Sequence, residues 1–308
     1  MNVDVVVATY NGEKYIRQQL ESILQQTHHD FRVLIRDDGS SDNTVKIIKE
    51  ISASDPRVFF IEDSLVSNGV GENFKKLLSH CSAEYVFLAD QDDVWYRNKI
   101  ELMIEFSKKH FLSNLPCIAY SPGDIVDDSL HKTGAITDKQ LSIVNIKDML
   151  YSNGGVQGCA MVINKALYTR ALRYDFFWHM HDQVLSLYAT IFGKIFYLSK
   201  TSFMYRQHNN NVKGFNEKNK MFLLCKYFKK NNEYMIEKNT YDLFNFFLRV
   251  ERNSLSLAIC NLLEEYSRIE RLSKFQQLKF TLSNRVRLSR STVKALIKLL
   301  LVKGFVEQ

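Results

Sequence analysis

The fold is decided by residues 3–36, whose sequence is VDVVVATYNGEKYIRQQLESILQQTHHDFRVLIR. The apolar run at 3–8 predicts a buried strand, residues 14–25 predict an amphipathic helix, and residues 31–36 predict a second strand. The same alternation predicts further elements: a helix at 44–52, a strand at 58–61, a helix at 72–80, a strand at 85–89 and a helix at 98–109. We therefore expect an α/β fold with a mainly parallel sheet flanked by helices.

Composition narrows the class of protein before any motif is considered. The chain has 308 residues, of which 45% are hydrophobic and 24% are charged, as is typical of a folded protein with a substantial core. Only 3 Pro and 12 Gly exclude collagen-like and proline-rich chains. The 5 Cys are far apart, so we expect no disulfide framework and no Cys-x-x-Cys zinc site, and a reducing cytosol is favoured. The first residues predict no signal peptide, and no apolar window predicts a membrane-spanning helix.

Charge is distributed unevenly along the chain. Residues 1–212 hold 22 Lys and Arg against 25 Asp and Glu, whereas residues 213–308 hold 19 against 9. We expect two domains, a catalytic domain at 1–212 and a basic, entirely helical region at 213–308. The basic excess predicts contact with something anionic, either a membrane leaflet or nucleic acid.

Three carboxylates directly follow the predicted strand 85–89, at Asp90, Asp92 and Asp93. Like charges this close repel one another, and a divalent cation with oxygen ligands is the usual way to make such a cluster stable. Mg²⁺ or Mn²⁺ held by carboxylates usually completes its shell with substrate phosphates. The cluster therefore predicts a metal site and a phosphate-bearing substrate.

A second acidic pair, Asp37 and Asp38, follows the predicted strand 31–36. Part of this loop is explained as a turn, since Gly39 permits an unusual backbone conformation and Asp42 can cap the next helix. The pair itself can accept hydrogen bonds from a nucleobase or from ribose hydroxyls. No Gly-x-Gly-x-x-Gly and no P-loop motif is present, which disfavours dinucleotide-binding dehydrogenases and excludes P-loop ATPases.

Three motifs follow predicted strands in order: residues 8–12 (ATYNG), 36–44 (RDDGSSDNT) and 88–95 (LADQDDVW). Together they closely resemble the family 2 inverting glycosyltransferases of the GT-A fold. Residues 158–164 (GCAMVIN), 181–182 (HD) and 205–212 (YRQHNNNV) most resemble the rhamnosyltransferase branch that builds bacterial surface polysaccharides. The resemblance covers roughly residues 1–212 and implies a Rossmann-like nucleotide-sugar transferase fold.

The resemblance also implies roles for individual positions. Asp182, which opens a predicted helix, matches the general base, and a carboxylate near a helix N-terminus can be held ionised there. The nucleotide would be bound by Thr9, Tyr10, Asp37, Asp38 and Arg206. The metal, Mg²⁺ or Mn²⁺, would be held by Asp90 and Asp92, with Asp93 as an alternative ligand and His208 contacting metal or phosphate. The substrate pocket would include Trp95 and His181.

The implied reaction is sugar transfer from a nucleotide-sugar donor, dTDP-rhamnose if the branch is correct, to a lipid-linked glycan acceptor in O-antigen or capsule synthesis. A UDP-hexose donor is the first alternative, because a deoxysugar and a hexose differ by few contacts. A sugar nucleotidyltransferase would need a Gly-rich, Arg-containing loop after the first strand, and residues 8–12 lack it. A nucleic-acid-binding protein would leave the acidic clusters unexplained, so we expect no nucleic-acid partner.

The last part of the chain, from Arg271 to Gln308, holds nine basic residues against one acid. Five apolar residues share one predicted helical face there: Val293, Leu296, Ile297, Leu300 and Leu301. Such a face either packs on the catalytic domain or lies on an anionic leaflet. We expect peripheral contact with a membrane, which places the protein in the cytoplasm at the inner face of the cell membrane.

Overall fold

The computed structural model of the protein describes residues 2–63, 69–112, 114–140, 143–208 and 234–307. The predicted α/β fold is confirmed, and the predicted elements lie within two residues of their observed ends. The first elements are β1 (Val3–Thr9), α1 (Ile16–Leu24), β2 (Phe31–Asp37), α2 (Thr44–Ser54), β3 (Val58–Phe60), α3 (Val70–Ser79), β4 (Tyr85–Ala89), β5 (Val94–Trp95) and α4 (Lys99–His110). They are followed by β6 (Cys117–Tyr120), β7 (Gly123–Val126), β8 (Lys132–Ile136), β9 (Met161–Asn164), α5 (Lys165–Ala171), α6 (His181–Phe192), β10 (Lys194–Tyr197) and β11 (Phe203–Arg206).

The main sheet has seven strands in the order β10-β6-β9-β4-β1-β2-β3. β1 is parallel to both β2 and β4, while β9 is antiparallel to β4 and β6. The register pairs Thr9 with Asp37 across β1 and β2, and Val7 with Ala89 across β1 and β4. The loops that follow these three strands therefore leave the sheet at the same edge.

Strand β1 is buried along its whole length, as expected of a central parallel strand covered on both faces. Its one charged residue, Asp4, is paired with Arg32 (Oδ1 to Nε 2.5 Å) and accepts a hydrogen bond from Ser82 N (2.9 Å). The flanking helix α1 buries Ile16, Leu20 and Ile23 at a spacing of three to four residues, which explains why this segment is helical.

A smaller sheet has the strand order β5-β11-β7-β8. Its register pairs Trp95 of β5 with Phe203 of β11, and Arg206 of β11 with Val126 of β7. This sheet therefore places β5, which directly follows the acidic residues 90–93, against the first two residues of β11.

The contacts within the chain define two units. The first contains the described residues up to 140 and 156–208, and the second contains 143–155 and 234–307. The sequence pattern does not predict that 143–155 belong to the second unit. The predicted boundary at 212/213 lies outside the described residues, and so do residues 209–212 of the predicted motif.

The second unit contains four α-helices among its described residues, but it is not entirely helical as predicted. Its elements are β12 (Tyr234–Ile236), α7 (Lys238–Glu251), α8 (Leu257–Tyr266), α9 (Lys274–Ser283), α10 (Thr292–Leu301) and β13 (Gly304–Val306). β12 and β13 form a parallel pair. Each has only three residues, which is too short for a recognisable alternation of apolar and polar side chains.

Helix α10 has apolar side chains on two faces. Ala295 and Leu299 are buried, whereas Val293, Ile297 and Leu300 are 64%, 46% and 60% exposed. The predicted five-residue stripe is therefore divided in the structure, since Leu296 and Leu301 are half-buried. Among the described residues, no helix combines the length and the apolar character that crossing a bilayer requires.

Candidate active site

The loops after β4, β1 and β2 form one rim, because these strands are neighbours in the sheet. Two of the loops are joined directly: Tyr10 N donates to Gln91 Oε1 and Gln91 Nε2 donates to Tyr10 O, both at 2.9 Å. A Cβ at Gly12 would lie 2.3 Å from Gln91 Oε1, so a larger residue there would displace the Gln91 side chain that joins the loops. The Tyr10 ring is 58% exposed at the rim.

Asp37 stabilises the loop after β2 through hydrogen bonds. Its carboxylate accepts hydrogen bonds from Thr9 Oγ1 (2.8 Å), Gly39 N (3.0 Å), Ser40 N (2.7 Å) and Ser40 Oγ (2.6 Å). Gly39 has a φ of +89°, which glycine adopts without strain. Asp37 and Thr9 therefore fix the loop in which the next residue, Asp38, is held.

Asp38 lies beside Arg36, which is not among the predicted site residues. Asp38 Oδ1 is 3.7 Å from Arg36 Nη1, and Asp38 Oδ2 accepts from Gly69 N at 3.1 Å. Arg36 is completely buried, and it is held by Asp63 (Nη2 to Oδ1 2.7 Å) and Asn73 (Nη1 to Oδ1 3.1 Å). A charged residue at the end of an apolar strand was the signal that could have identified it.

Asp90, Asp93 and Cys159 form the one group of potential metal-binding side chains found within the described ranges. One ligand atom from each residue lies within 4.8 Å of the others. Burial, and after it the charge of Asp92, raises the pKa of Asp90 to about 7. Burial and the charges of Asp92 and Asp90 raise the pKa of Asp93 well above its usual range. Metal-free carboxylates are thus destabilised in their charged form at this position.

The donor set fits a hard divalent cation. Asp93 Oδ2 is buried and has no hydrogen-bond partner, and a cation would satisfy such an atom. Two carboxylates are common ligands of Mg²⁺ and Mn²⁺. Burial raises the pKa of the Cys159 thiol well above its usual range, so this side chain is a neutral thiol and a poor ligand for such an ion. Asp90 and Asp93 are therefore the residues that would hold it.

Asp92 faces a different neighbour. Its Oδ2 lies 2.8 Å from Nε2 of His208, and the His208 ring stacks on Tyr15 with 4.8 Å between ring centroids. The structure therefore brings Asp92 and His208 together as a pair beside the Asp90 and Asp93 cluster. Asp92 remains close enough for its charge to act on both of those acids.

Arg206, at the end of β11, is buried and has protein partners around its guanidinium. Nε donates to Asp92 O at 2.8 Å, Nη2 donates to Gln18 Oε1 at 2.6 Å, and Nη1 donates to Asp128 O. The backbone N of Arg206 donates to Asp93 Oδ1 at 3.3 Å. These contacts hold the acidic loop in place, whereas the predicted contact of Arg206 with the nucleotide would require some of them to be exchanged.

Asp182 lies in the first turn of α6, where the helix N-terminus favours a negative charge. It is buried, accepts a hydrogen bond from Gln183 N at 2.7 Å, and interacts electrostatically with Asp90. The neighbouring His181 is also buried, with its ring centroid 3.9 Å from that of Phe74. A Cβ at Gly158 would lie 2.2 Å from His181 Nε2, so glycine permits this packing.

Trp95, predicted in the substrate pocket, lies in the core with 3% of its surface exposed. Its ring packs on Phe87 and on the ammonium of Lys99, which is 4.2 Å from the ring centroid. Lys99 is not among the predicted site residues. The only sequence signal was a lysine at the first position of a helix that follows the acidic motif.

The sheet is mainly parallel, acidic loops follow its strands, and Asp182 lies at a helix N-terminus and interacts electrostatically with Asp90 in one of these loops. This combination defines the class, which is that of the GT-A glycosyltransferases. Comparison with known proteins identifies the family. Residues 4–170 match Glycosyl transferase family 2, and the chain belongs to that family.

The names of two curated relatives specify different sugar donors. The dTDP-rhamnosyl transferase RfbG of Shigella flexneri is 32% identical over 228 residues, which are 68% of this chain and 74% of RfbG. The UDP-Glc:alpha-D-GlcNAc-diphosphoundecaprenol beta-1,3-glucosyltransferase WfgD of Escherichia coli is 31% identical over 111 residues, 36% of this chain and 43% of WfgD. The chain therefore matches less than half the length of WfgD.

Among solved structures, residues 1–349 of Staphylococcus aureus TarS in complex with UDP-GlcNAc share the fold. The TM-score is 0.60 with 18% sequence identity, and the match covers 92% of this chain and 79% of that chain. This similarity confirms the predicted GT-A fold.

Proposed function

We propose that this protein is a metal-dependent inverting glycosyltransferase that transfers rhamnose from dTDP-rhamnose to a lipid-linked glycan during O-antigen or capsule synthesis. The observation that carries the proposal is the electrostatic interaction of Asp182, a candidate general base, with Asp90, which belongs to the group of potential metal ligands. The similarity to RfbG over most of both chains supports the donor.

The nucleotide part of the donor would lie along the loops after β1 and β2. Asp38 offers a carboxylate to a nucleobase N–H, while Asp37 and Thr9 hold its loop in place. Tyr10, exposed at the rim, offers an aromatic face to the base. The diphosphate would then point toward Asp90 and Asp93.

Asp90 and Asp93 would hold Mg²⁺ or Mn²⁺, with Asp92 and His208 next to them. A bound divalent cation would neutralise negative charge on the leaving diphosphate. Arg206 orients this acidic loop through its contacts with Asp92 O and Asp93 Oδ1.

Asp182 would act as the general base. It would take the proton from an acceptor hydroxyl while the hydroxyl oxygen forms a bond to the anomeric carbon of the donor, on the face opposite the nucleoside diphosphate. The bond from that carbon to the diphosphate oxygen breaks with its electron pair on the oxygen, so the configuration is inverted without a covalent enzyme intermediate. The buried side chain of His181, next to Asp182 in the sequence, would keep the sugar side of the site in shape.

The second unit would hold the protein on the anionic face of the membrane where a lipid-linked acceptor lies. The exposed face of α10, formed by Val293, Ile297 and Leu300, offers apolar area. A cavity of about 280 Å³ near the start of the same helix is lined by Asn145, Lys147, Arg285, Arg287 and Thr292. Positive charge beside an apolar helix face is typical of peripheral contact with anionic lipid.

The donor is tested by measuring hydrolysis and transfer with dTDP-rhamnose, UDP-glucose and UDP-GlcNAc, each with Mg²⁺, with Mn²⁺ and with EDTA. We expect dTDP-rhamnose to be turned over fastest and EDTA to stop the reaction. A clear preference for a UDP-hexose would replace the proposed donor with the alternative and leave the glycosyltransferase assignment intact. Activity that resists EDTA would contradict the metal requirement.

Membrane contact is tested by co-sedimentation with vesicles that contain or lack anionic lipid. We expect the triple variant Val293→Ser, Ile297→Ser, Leu300→Ser to lose binding to anionic vesicles while it stays folded. Leu257→Ser is the matched control, since Leu257 is an exposed apolar residue of the same unit outside α10. Equal sedimentation of the triple variant and the wild type would contradict the proposed surface.

A further inference from the structure

Lys99, the first residue of α4, is completely buried. Its Nζ donates a hydrogen bond to the backbone carbonyl of Cys159 at 2.7 Å. The same atom lies 4.2 Å from the ring centroids of both Trp95 and Phe203. The ammonium is thus fixed between two aromatic faces and one carbonyl oxygen.

This arrangement lacks the partner that a buried ammonium normally has. Within the described part of the chain, no carboxylate oxygen lies within the 4.0 Å of Nζ that would define an ion pair. Its charge does act on Asp93 and Asp90 from a longer distance. Burial of an ammonium costs free energy, and the charged forms of these two acids offset part of that cost.

Cys159 connects Lys99 to the acidic cluster. Its carbonyl oxygen accepts the hydrogen bond from Lys99, while its side chain lies in the same group as Asp90 and Asp93. The ammonium is therefore attached to the backbone of the cluster, and the aromatic rings prevent it from moving into water. A cation held by Asp90 and Asp93 would therefore be repelled by the ammonium of Lys99, whose charge acts on both acids.

We propose that Lys99 is a positioning residue whose buried charge stabilises the metal-free cluster and keeps its affinity for a divalent cation low until a nucleoside diphosphate is bound. The inference rests on the proposed metal-dependent function. The diphosphate brings negative charge that offsets the repulsion between Lys99 and the cation. Cation and nucleotide therefore increase each other's affinity, and the coupling is reciprocal.

The experiment titrates the full chain with MnCl₂, with and without dTDP, and follows free Mn²⁺ by electron paramagnetic resonance. We expect dTDP to tighten Mn²⁺ binding by the wild type about tenfold or more. Lys99→Met should bind Mn²⁺ about tenfold more tightly than the wild type without dTDP, because a unit charge has been removed from a site of low dielectric constant. The effect of dTDP should shrink correspondingly.

Two further variants make the comparison specific. Lys108→Met removes the same charge from an exposed position of the same helix, and it should bind Mn²⁺ as the wild type does. Lys99→Gln removes the charge but keeps a donor for the Cys159 carbonyl, so it carries the test if Lys99→Met does not fold. Tightening in Lys99→Gln similar to that in Lys99→Met would assign the effect to charge.

The outcomes separate this inference from the proposed function. If both Lys99 variants bound Mn²⁺ as tightly as the wild type does, or more weakly, the inference would be overturned. The assignment of the metal site would not be affected. Tight Mn²⁺ binding by the wild type without dTDP would overturn it as well. If the wild type bound no Mn²⁺ even with dTDP, the metal assignment itself would fail, and the inference would fall with it.

Discussion

Residues 37–44 at the end of β2 and residues 90–93 after β4 both place clustered acids at strand ends on either side of β1, yet their carboxylates have different surroundings. Asp37 accepts four hydrogen bonds from Thr9, Gly39 and Ser40. Asp93, in contrast, has one buried oxygen without a hydrogen-bond partner, and its pKa is raised by burial and by the neighbouring Asp92 and Asp90 charges.

This difference shows that two acidic motifs of similar composition need not have similar roles. A carboxylate that is surrounded by donors stabilises its own loop, since each bond to a charged group contributes to folding. A buried carboxylate with one oxygen that no donor reaches, and with other acids close by, is destabilised, and it gains most from an added cation. The comparison predicts that substitutions in the two loops separate effects on catalysis from effects on stability.

The largest effect is expected for Asp93→Asn, which removes charge from the β4 loop without changing its shape. Transfer should fall by roughly 10³ or more, because the site loses several kcal/mol of charge stabilisation on the leaving group. The folded protein should be at least as stable, since repulsion among the acids decreases. Mn²⁺ binding, transfer rate and thermal unfolding would be measured together.

Asp92→Ala tests the neighbouring acid of the same loop. We expect it also to abolish Mn²⁺-dependent transfer, and it should release His208 from its 2.8 Å contact. Full activity of Asp92→Ala in the presence of EDTA would remove the metal assignment. Loss of activity in Asp92→Ala but not in Asp93→Asn would transfer the ligand role from Asp93 to Asp92.

Asp182→Asn should have the next largest effect. The amide keeps the shape of the side chain but cannot accept the proton, so turnover should fall by roughly 10² to 10⁴. Affinity for dTDP should stay near that of the wild type, as judged by calorimetry. Weaker dTDP binding with an unchanged maximal rate would instead identify Asp182 as a binding residue.

Asp38→Asn should weaken nucleotide binding with a smaller effect on catalysis. Losing a charged acceptor costs about 1.5–3 kcal/mol, which is roughly a tenfold to hundredfold loss of dTDP affinity. Mn²⁺ binding without nucleotide should not change, because Asp38 lies in the β2 loop. Unchanged dTDP affinity in this variant would exclude Asp38 from the nucleotide site.

The smallest effect on activity is expected for Asp37→Asn. The amide can still accept part of the hydrogen bonding from Thr9 and Ser40, so unfolding should become easier by about 1–2 kcal/mol while the maximal rate stays near that of the wild type. Thr9→Val removes one of the same hydrogen bonds and is the matched variant. A loss of activity in Asp37→Asn comparable to that of Asp93→Asn would refute the distinction between the two loops.

Much of the site was accessible from the sequence, because the loops follow apolar strands that are easy to recognise. Other features were not accessible. Arg206 has the residue type of a phosphate ligand, but burial and three guanidinium contacts make it part of the support for the acidic loop. Lys99 and Arg36 were missed for a related reason: a buried charge is defined by its distant neighbours.

The sequence by itself determined the α/β fold and the position of two acidic loops at strand ends, because hydrophobic periodicity is a local property of the chain. Only the tertiary structure decided how each carboxylate is satisfied. The donors of Asp37 include Thr9, 28 residues away, and the partner of Asp92 is His208, 116 residues away. Hydrogen bonding and burial depend on such distant contacts, so residues of the same type acquire different surroundings and different roles.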